Sequence, residues 1–284
     1  MEILSNKTVY QANRPINRSK CRIFFGKLFF TYRRYIQWFF NRSIKFAVTI
    51  QTAQLPYLVT RHATPLYRQL RNVDLWLQDN KVINLRLAAE GINGVILKPG
   101  ESFSFWRLIG KPTAAKGFKE GMVLSNGSFI SGVGGGLCQL SNLIYWMALH
   151  SPLTVTERWR HTHDVFPDST RTQPFGSGAT VVYNYIDLQL KNDTKQTYQL
   201  LIEVGKSELH GELRCEQPCL RKYEVYESDH LIKQEWWGGY MRHNILRRKI
   251  VDLDNTPIGD DFITENHAIM MYEPLLTGSV NSGE

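Results

Sequence analysis

The segment SGVGGGLCQLSNLIYWMALHSP, residues 131–152, constrains the fold more than any other part of the chain. The segment opens with a loop that has four glycines within five residues, and Pro152 ends it. Between them, apolar residues recur at the i, i+3, i+4, i+7 spacing of a helix with one buried face: Leu140, Leu143, Ile144, Met147 and Ala148. The segment therefore predicts a glycine-rich loop that leads into a helix from about Cys138 to His150.

The rest of the chain is rich in short strand-like runs. Segments such as TYQLLIEV and ELHGELR alternate apolar and polar residues, and turn dipeptides such as Pro99-Gly100 separate the runs. A second, short helix is predicted near residue 88, where NLRLAAEG has helical spacing before a glycine. With 284 residues and 43% hydrophobic content, the chain can bury a sizeable core. We predict an α+β fold in which the Cys138 helix packs on a mostly antiparallel sheet.

Charge divides the chain into two parts. Residues 1–73 contain 13 Lys and Arg residues against one acidic residue, Glu2, and so carry a net charge of +12, whereas residues 74–284 carry −4. This change in composition predicts a basic aromatic N-terminal segment, residues 1–73, followed by an α+β domain, residues 74–284.

Within the basic part, residues 20–48 interleave cations with aromatic residues and predict a helix. One interpretation is a helix that lies on an anionic membrane surface, and another is a helix whose aromatic face packs on the domain. Nucleic acid is not an expected partner, because no recognition motif accompanies the charge and the aromatics are clustered. No uncharged apolar run approaches the 18 residues that would span a bilayer.

Cys138 is the first candidate for chemistry. It falls in the first turn of the predicted helix, where free backbone N–H groups and the helix dipole can stabilise a thiolate or an oxyanion. The competing interpretation is structural, because unpaired cysteines are among the most buried residues and a tight turn requires a small side chain. Gln139 and Ser141 are the neighbouring candidates for holding an oxyanion.

His161 is the candidate base, because it follows a strand predicted over residues 153–160. Asp164, or alternatively Asp168, could orient its ring, as in other cysteine enzymes with a Cys-His pair. His161, His163 and Asp164 also form an HxHD cluster, but too few ligands accompany it to predict a metal site. Cys215 and Cys219 lack a matching second pair, so a structural zinc is not expected, and neither is a cofactor.

The same region also permits binding without catalysis. Gly134, Gly135 and Gly136 could form a nest of backbone N–H groups for a phosphate or carboxylate. Arg158 and Arg160 are candidate ligand-binding cations on the following strand, together with Ser141 on the helix.

Several blocks resemble the VanW family, which is associated with vancomycin resistance. They include FSFWRLIGKPT, GVGGGLCQLSNLIYWMALHSPLTVTERWRH, DVFPD and RTQPFGSGATVVYNYIDL, and the similarity covers roughly residues 80–273. The resemblance implies a bacterial source and a connection with glycopeptide resistance, but it supplies no reaction and no catalytic residue. His163 departs from the family pattern, which commonly has an aromatic residue at this position.

Two functions are compatible with these observations. In the first, Cys138 and His161 hydrolyse or transfer an amide or ester of a peptidoglycan-related substrate. In the second, the protein binds an anionic cell-wall precursor at the membrane surface without catalysis. Because four cysteines do not form a disulfide framework and no cleavable signal opens the sequence, we expect a cytoplasmic protein, peripheral on the inner membrane leaflet.

Overall fold

The computed structural model describes residues 19–67, 74–125, 128–165 and 173–273. Within these residues lie the helices α1 (Lys20–Phe40), α2 (Leu75–Glu90), α3 (Phe105–Ile109) and α4 (Cys138–Leu149). The strands are β1 (Lys45–Phe46), β2 (Tyr57–Pro65), β3 (Val95–Leu97), β4 (Glu101–Ser104), β5 (Glu120–Ser125), β6 (Ser128–Val133), β7 (Thr154–Glu157), β8 (His163–Asp164), β9 (Gln189–Lys191), β10 (Tyr198–Val204), β11 (Glu208–Cys215), β12 (Lys222–Gln234), β13 (Tyr240–Val251) and β14 (Pro257–Met270). Helix α4 begins and ends as predicted to within one residue.

The strands form three four-stranded sheets and a hairpin. The sheets have the orders β1-β4-β9-β7, β2-β11-β10-β3 and β12-β13-β14-β8, and the hairpin joins β5 to β6. Among the described strands, the neighbours are antiparallel except for β1 with β4 and β8 with β14. Few helices and antiparallel-rich sheets confirm the predicted α+β class.

Helix α4 packs on the sheet that contains β2 and β11. Leu143 and Met147 of its apolar face are 1% exposed, and each such side chain contributes about 1.5–3 kcal/mol by leaving water. The helix comes close because Gly211 faces it: a Cβ there would lie 2.6 Å from Met147 Cε and 2.9 Å from Leu143 Cδ2. A glycine in a strand interior thus marks the closest approach of helix and sheet.

Helix α2 begins at Leu75, ten residues before the helical pattern that predicted it. The first half of α2 buries polar residues, so this half of the helix shows no apolar stripe. The Lys81 ammonium donates to the Leu66 carbonyl. The Asn84 side chain donates to the carbonyls of Lys119 (3.0 Å) and Gly135 (2.9 Å) and accepts from Lys119 N (2.8 Å). These bonds satisfy buried polar atoms that would otherwise destabilise the core.

The basic N-terminal segment supplies strands to the domain. Strand β1 pairs with β4, β2 pairs along its length with β11, and Ile50 forms a bridge with Val95. The change in composition near residue 73 is therefore a change in charge and not the limit of the sheets. The predicted boundary between residues 73 and 74 stays a prediction, and residues 68–73, which precede it, lie outside the described residues.

Helix α1 is attached to the domain through its second half. Arg34 is buried, with its Nη2 2.5 Å from Glu157 Oε1 and its Nε donating to the Asn184 carbonyl at 3.1 Å. The Tyr35 and Tyr183 hydroxyls lie 2.9 Å apart. Residues 20–33 are exposed or half-buried throughout, so their aromatic side chains do not form a buried face. In the described part of the chain, no helix combines the length and the apolar character needed to cross a membrane.

Candidate functional site

The glycine run before α4 is packed against protein. A Cβ on Gly135 would lie 2.2 Å from the backbone of Gly121, and one on Gly136 would lie 2.2 Å from Lys81 Cγ. Gly134 and Gly136 also have backbone φ angles of +79° and +92°, which residues with a side chain rarely adopt. The Gly134 N–H donates to Lys119 and the Gly135 N–H donates to Gly132. These glycines provide close packing between the loop, β5 and α2, and the ligand-binding role of Gly134, Gly135 and Gly136 stays a prediction.

The residues after the loop are also engaged within the protein. Gln139 Nε2 donates to Thr64 Oγ1 and to the Pro65 carbonyl, both at 2.9 Å, and so ties α4 to β2. Ser141 Oγ, fully buried, donates to the Ala179 carbonyl at 2.6 Å. Both side chains hold neighbouring segments onto the helix, and the roles of Gln139 as an oxyanion donor and of Ser141 as a ligand contact stay predictions.

A cavity of about 290 Å³ lies at the N-terminal end of α4. It brings together residues from β2, α4, the segment after β7 and the segment 173–180. The polar and reactive members of its wall are His62, Thr64, Cys138, Asn142, Arg160, His161, His163, Asp164, Gln173, Ser177 and Thr180. The sequence predictions of Cys138, His161, Asp164 and Arg160 thus meet at one site.

The Cys138 thiol lies at the first residue of α4, as the sequence predicted. Its Sγ is 3.8 Å from the Val181 carbonyl oxygen, to which it donates. Burial raises the pKa of this thiol, although backbone hydrogen bonds with Val181 and with Cys138 itself act in the opposite direction. The expected lowering of the Cys138 pKa by the helix N-terminus is therefore wrong, because loss of solvation has the larger effect.

The histidines of the cavity are held mainly in the neutral form. Burial lowers the pKa of His161, and the nearby Arg160 and His163 lower it further. Burial also lowers the pKa of His163. Although all three side chains are described, no hydrogen bond joins the His161 ring to the Cys138 sulfur or to the Asp164 carboxylate.

Asp164 is buried and engaged with other groups. Its Oδ2 accepts from the Tyr272 hydroxyl at 2.9 Å and lies 3.5 Å from Arg242 Nε. The carboxylate thus joins β8 to β13 and the segment after β14, and its predicted role in orienting the His161 ring stays a prediction. The alternative candidate, Asp168, lies outside the described residues.

The two candidate arginines have different positions. Arg158 Nε donates to the Gly178 carbonyl at 2.8 Å, its Nη1 donates to Asn266 Oδ1 at 3.3 Å, and its guanidinium lies over the Tyr145 ring. Arg158 therefore fixes the segment that forms one cavity wall, and its role as a ligand contact stays a prediction. Arg160 lines the cavity, where it donates to the His267 carbonyl and stacks on Phe175.

His62 and Asn142 belong to the site but were not predicted. His62 Nε2 lies 2.7 Å from Gln173 Nε2, and its pKa is lowered by burial and by His150. Asn142 Oδ1 accepts from the Ala179 N–H at 2.7 Å. His62 lies on β2, almost a hundred residues before His161, so only the pairing of β2 with β11 brings it to the cavity. Asn142 is one helical turn after Cys138 and could have been recognised from that spacing.

Metal-ligating side chains in the described part of the chain do not cluster. Among the described residues, no group of three or more His, Cys, Asp and Glu side chains is arranged to hold a metal ion. Two cysteines outside the cavity, Cys215 and Cys219, are unpaired thiols with their sulfurs 3.3 Å apart.

The fold and the site define a class of protein: an α+β domain with a polar cavity at the start of a glycine-preceded helix. Comparison with known proteins then gives the family. The family model of the VanW-like proteins matches residues 80–214 of this chain. The vancomycin B-type resistance protein VanW of Enterococcus faecalis is 35% identical over 205 residues, which cover 72% of this chain and 74% of that protein. The chain therefore belongs to the VanW-like family.

A more distant relative shares part of this domain. The uncharacterized protein YoaR of Bacillus subtilis is 32% identical over 113 residues, which cover 40% of this chain and 36% of that protein. No solved structure matches the chain.

Proposed function

We propose that this protein is a non-catalytic binding protein in vancomycin resistance, and that its cavity binds the anionic end of a peptidoglycan precursor. The link to resistance is supported by the similarity to the vancomycin B-type resistance protein VanW. The proposal sets the protein in the cytoplasm, at the inner leaflet of the membrane, where such precursors are made.

The single observation that carries the proposal is the character of the cavity wall. It contains the Arg160 guanidinium and the imidazoles of His62, His161 and His163. Among the described residues of this wall, the one acidic member is Asp164, which is already paired with Arg242. A cavity with this balance of charge favours a carboxylate or phosphate, because a guanidinium donates charge-assisted hydrogen bonds to either group.

The size of the cavity limits what it can hold. At about 290 Å³, it lies at the lower end of the range for small-molecule sites, so it fits the end of a peptide or a phosphate rather than a whole precursor. Neutral imidazoles supply both a donor and an acceptor, and Asn142 and Thr180 add further polar atoms. These groups can therefore distinguish an anionic terminus from an apolar one.

The test is calorimetric titration of the full chain with UDP-N-acetylmuramyl-pentapeptide, a soluble precursor that carries both phosphates and a terminal carboxylate. We expect Arg160→Gln to weaken binding about 10- to 100-fold, the effect of losing a charge-assisted hydrogen bond. Arg160→Lys should lose less, because it keeps the charge without the two-pronged geometry.

Matched controls separate the cavity from general charge. Arg61→Gln removes an exposed arginine outside this cavity and should leave the affinity unchanged. The pentapeptide alone and inorganic pyrophosphate, titrated separately, identify which anionic end is bound. Absence of binding to all three probes, or an equal loss in the Arg160 and Arg61 variants, would contradict the proposal.

A Cys-His enzyme is the second candidate, because Cys138 and His161 line the same cavity. In that reaction the thiol loses its proton to His161 and attacks a carbonyl carbon. The proton then passes to the departing amine or alcohol, leaving a thioester that water or a second nucleophile resolves. The raised pKa of Cys138 and the lack of a hydrogen bond to His161 favour the binding function instead.

Thiol labelling distinguishes the two candidates. We expect iodoacetamide at pH 6–7 to modify Cys138 more slowly than the exposed Cys21, because a protonated, desolvated thiol is a poor nucleophile. Cys138→Ala should then retain precursor binding and resistance at normal protein levels. Faster labelling of Cys138 than of Cys21, together with loss of resistance in Cys138→Ala, would favour the enzyme and contradict the binding protein.

A further inference from the structure

Helix α1 presents an apolar surface along its length that the described residues of the domain leave uncovered. Ten large apolar side chains of this helix are 42–77% exposed. They are Ile23, Phe24, Phe25, Leu28, Phe29, Phe30, Tyr32, Ile36, Phe39 and Phe40. Isolated exposed apolar residues are ordinary, but a contiguous set of this size on one helix indicates a surface that contacts another body.

Cations accompany these side chains. Lys20, Arg22, Lys27 and Arg33 are exposed on the same helix, and Arg42 and Lys45 follow it. No acidic residue occurs between Glu2 and Asp74 to neutralise them. The surface therefore combines aromatic rings with uncompensated positive charge, which is the combination found in helices that lie in the headgroup region of anionic membranes.

The attachment of α1 fixes its orientation. Arg34 is held by Glu157 and Asn184, and the Trp38 carbonyl accepts from Arg107 Nη1 at 3.0 Å. These contacts lie in the second half of the helix and join it to β7 and α3. Residues 20–33, about 20 Å of helix, extend from this attachment. A molecule or membrane surface bound to the helix would thus be held in a defined position relative to the domain.

We propose that α1 lies on an anionic phospholipid surface, with its aromatic side chains inserted among the acyl chains and its cations on the headgroups. Charge decides between this occupant and a second copy of the helix. Two copies would bring Lys20, Arg22, Lys27 and Arg33 of each toward the same cations of the other, which opposes association. An anionic lipid surface instead attracts every one of these charges.

The experiment is sedimentation of the full chain with vesicles of phosphatidylcholine alone or mixed with phosphatidylglycerol. We expect binding to the mixed vesicles at low salt, at least about tenfold weaker binding to phosphatidylcholine, and a decrease with added salt. The double substitution Phe25→Ser and Phe29→Ser should abolish most of the binding to vesicles. The double substitution Lys27→Glu and Arg33→Glu should abolish most of the binding to the mixed vesicles.

Controls use similar residues elsewhere on the surface. Phe262 is 59% exposed on β14 and Lys206 is exposed after β10, so Phe262→Ser and Lys206→Glu should bind like the unmodified chain. All substituted side chains are exposed, and circular dichroism checks that each variant folds. Equal binding to both vesicle types, binding to neither, or a dimer that the Phe25 and Phe29 substitutions abolish would overturn the proposal.

Discussion

Asp187 is a buried carboxyl at which two physical effects oppose each other. It accepts hydrogen bonds from Ser104 Oγ (2.6 Å), Trp106 N (3.0 Å), Leu188 N (3.0 Å) and Gln189 Nε2 (3.2 Å). Such bonds stabilise a carboxylate, but burial is the larger effect and raises the pKa to about 6. The folded protein therefore binds a proton here more tightly than the unfolded chain does.

This shift predicts how stability depends on pH. Because the pKa is raised on folding, the stabilisation is fully present below the unfolded value near 3.8 and is lost as pH rises through about 6. Asp187→Asn removes the titration. The stability of the unmodified chain, measured by urea unfolding relative to Asp187→Asn, should decrease by about 2.5 kcal/mol between pH 4 and pH 8.

A surface carboxyl provides the control for this measurement. The pKa of Asp193 is lowered, chiefly by its hydrogen bond with Lys191, so Asp193→Asn should show little change over the same pH range. A stability difference between the unmodified chain and Asp187→Asn that does not vary with pH would show that Asp187 is ionised throughout.

The same balance explains what the sequence could tell about Cys138. Its position at the start of a helix follows from a local pattern and was predicted. The direction of its pKa depends on burial, which follows from how the helix start packs against the core, and was not predictable. Local sequence therefore locates a reactive group but does not determine its ionisation.

At the level of secondary structure, α4 and α2 show when a helix can be recognised from sequence. Helix α4 was predicted because its buried face is apolar and continuous. Helix α2 was predicted only in its second half, because its first half buries polar residues such as Lys81, which bonds to the Leu66 carbonyl 15 residues earlier in the chain. A buried polar residue looks like a surface residue in the sequence, and only its distant partner shows otherwise.

The glycine loop supports a prediction at this scale. Gly135→Ala places a Cβ 2.2 Å from the Gly121 backbone, which cannot move aside as a side chain could. We expect this substitution to lower the free energy of unfolding by about 1–3 kcal/mol or more, measured by urea titration. Gly26→Ala is the matched control, since nothing lies within 4 Å of its added Cβ and alanine favours a helix. An equal effect of both substitutions would mean that the loop is not closely packed.

For the whole molecule, composition and topology divide the chain differently. Charge separates residues 1–73 from the remainder, yet β1 and β2 pair with strands that come later. Composition records which residues meet solvent, whereas strand pairing depends on backbone contacts across the whole chain. For the same reason the sequence suggested His161 and Arg160 as site residues but not His62, which β2 brings to the cavity.

The assembled cavity predicts coupling between ligand binding and protonation. Burial lowers the pKa values of His62, His161 and His163, so these rings are mostly neutral at pH 7 in the free protein. A bound anion favours their charged forms and raises those pKa values. Affinity for an anionic precursor should therefore increase as pH falls from about 8 toward 6, with proton uptake on binding.

Calorimetry in buffers of different ionisation enthalpy measures this uptake directly. His161→Gln and His163→Gln should each reduce the number of protons taken up, because each removes one ring that the anion can protonate. His230→Gln is the control, since that histidine lies on β12 and is not part of the cavity wall. If affinity is independent of pH while Arg160→Gln still weakens binding, the anion contacts the arginine alone and the histidines serve only to shape the cavity.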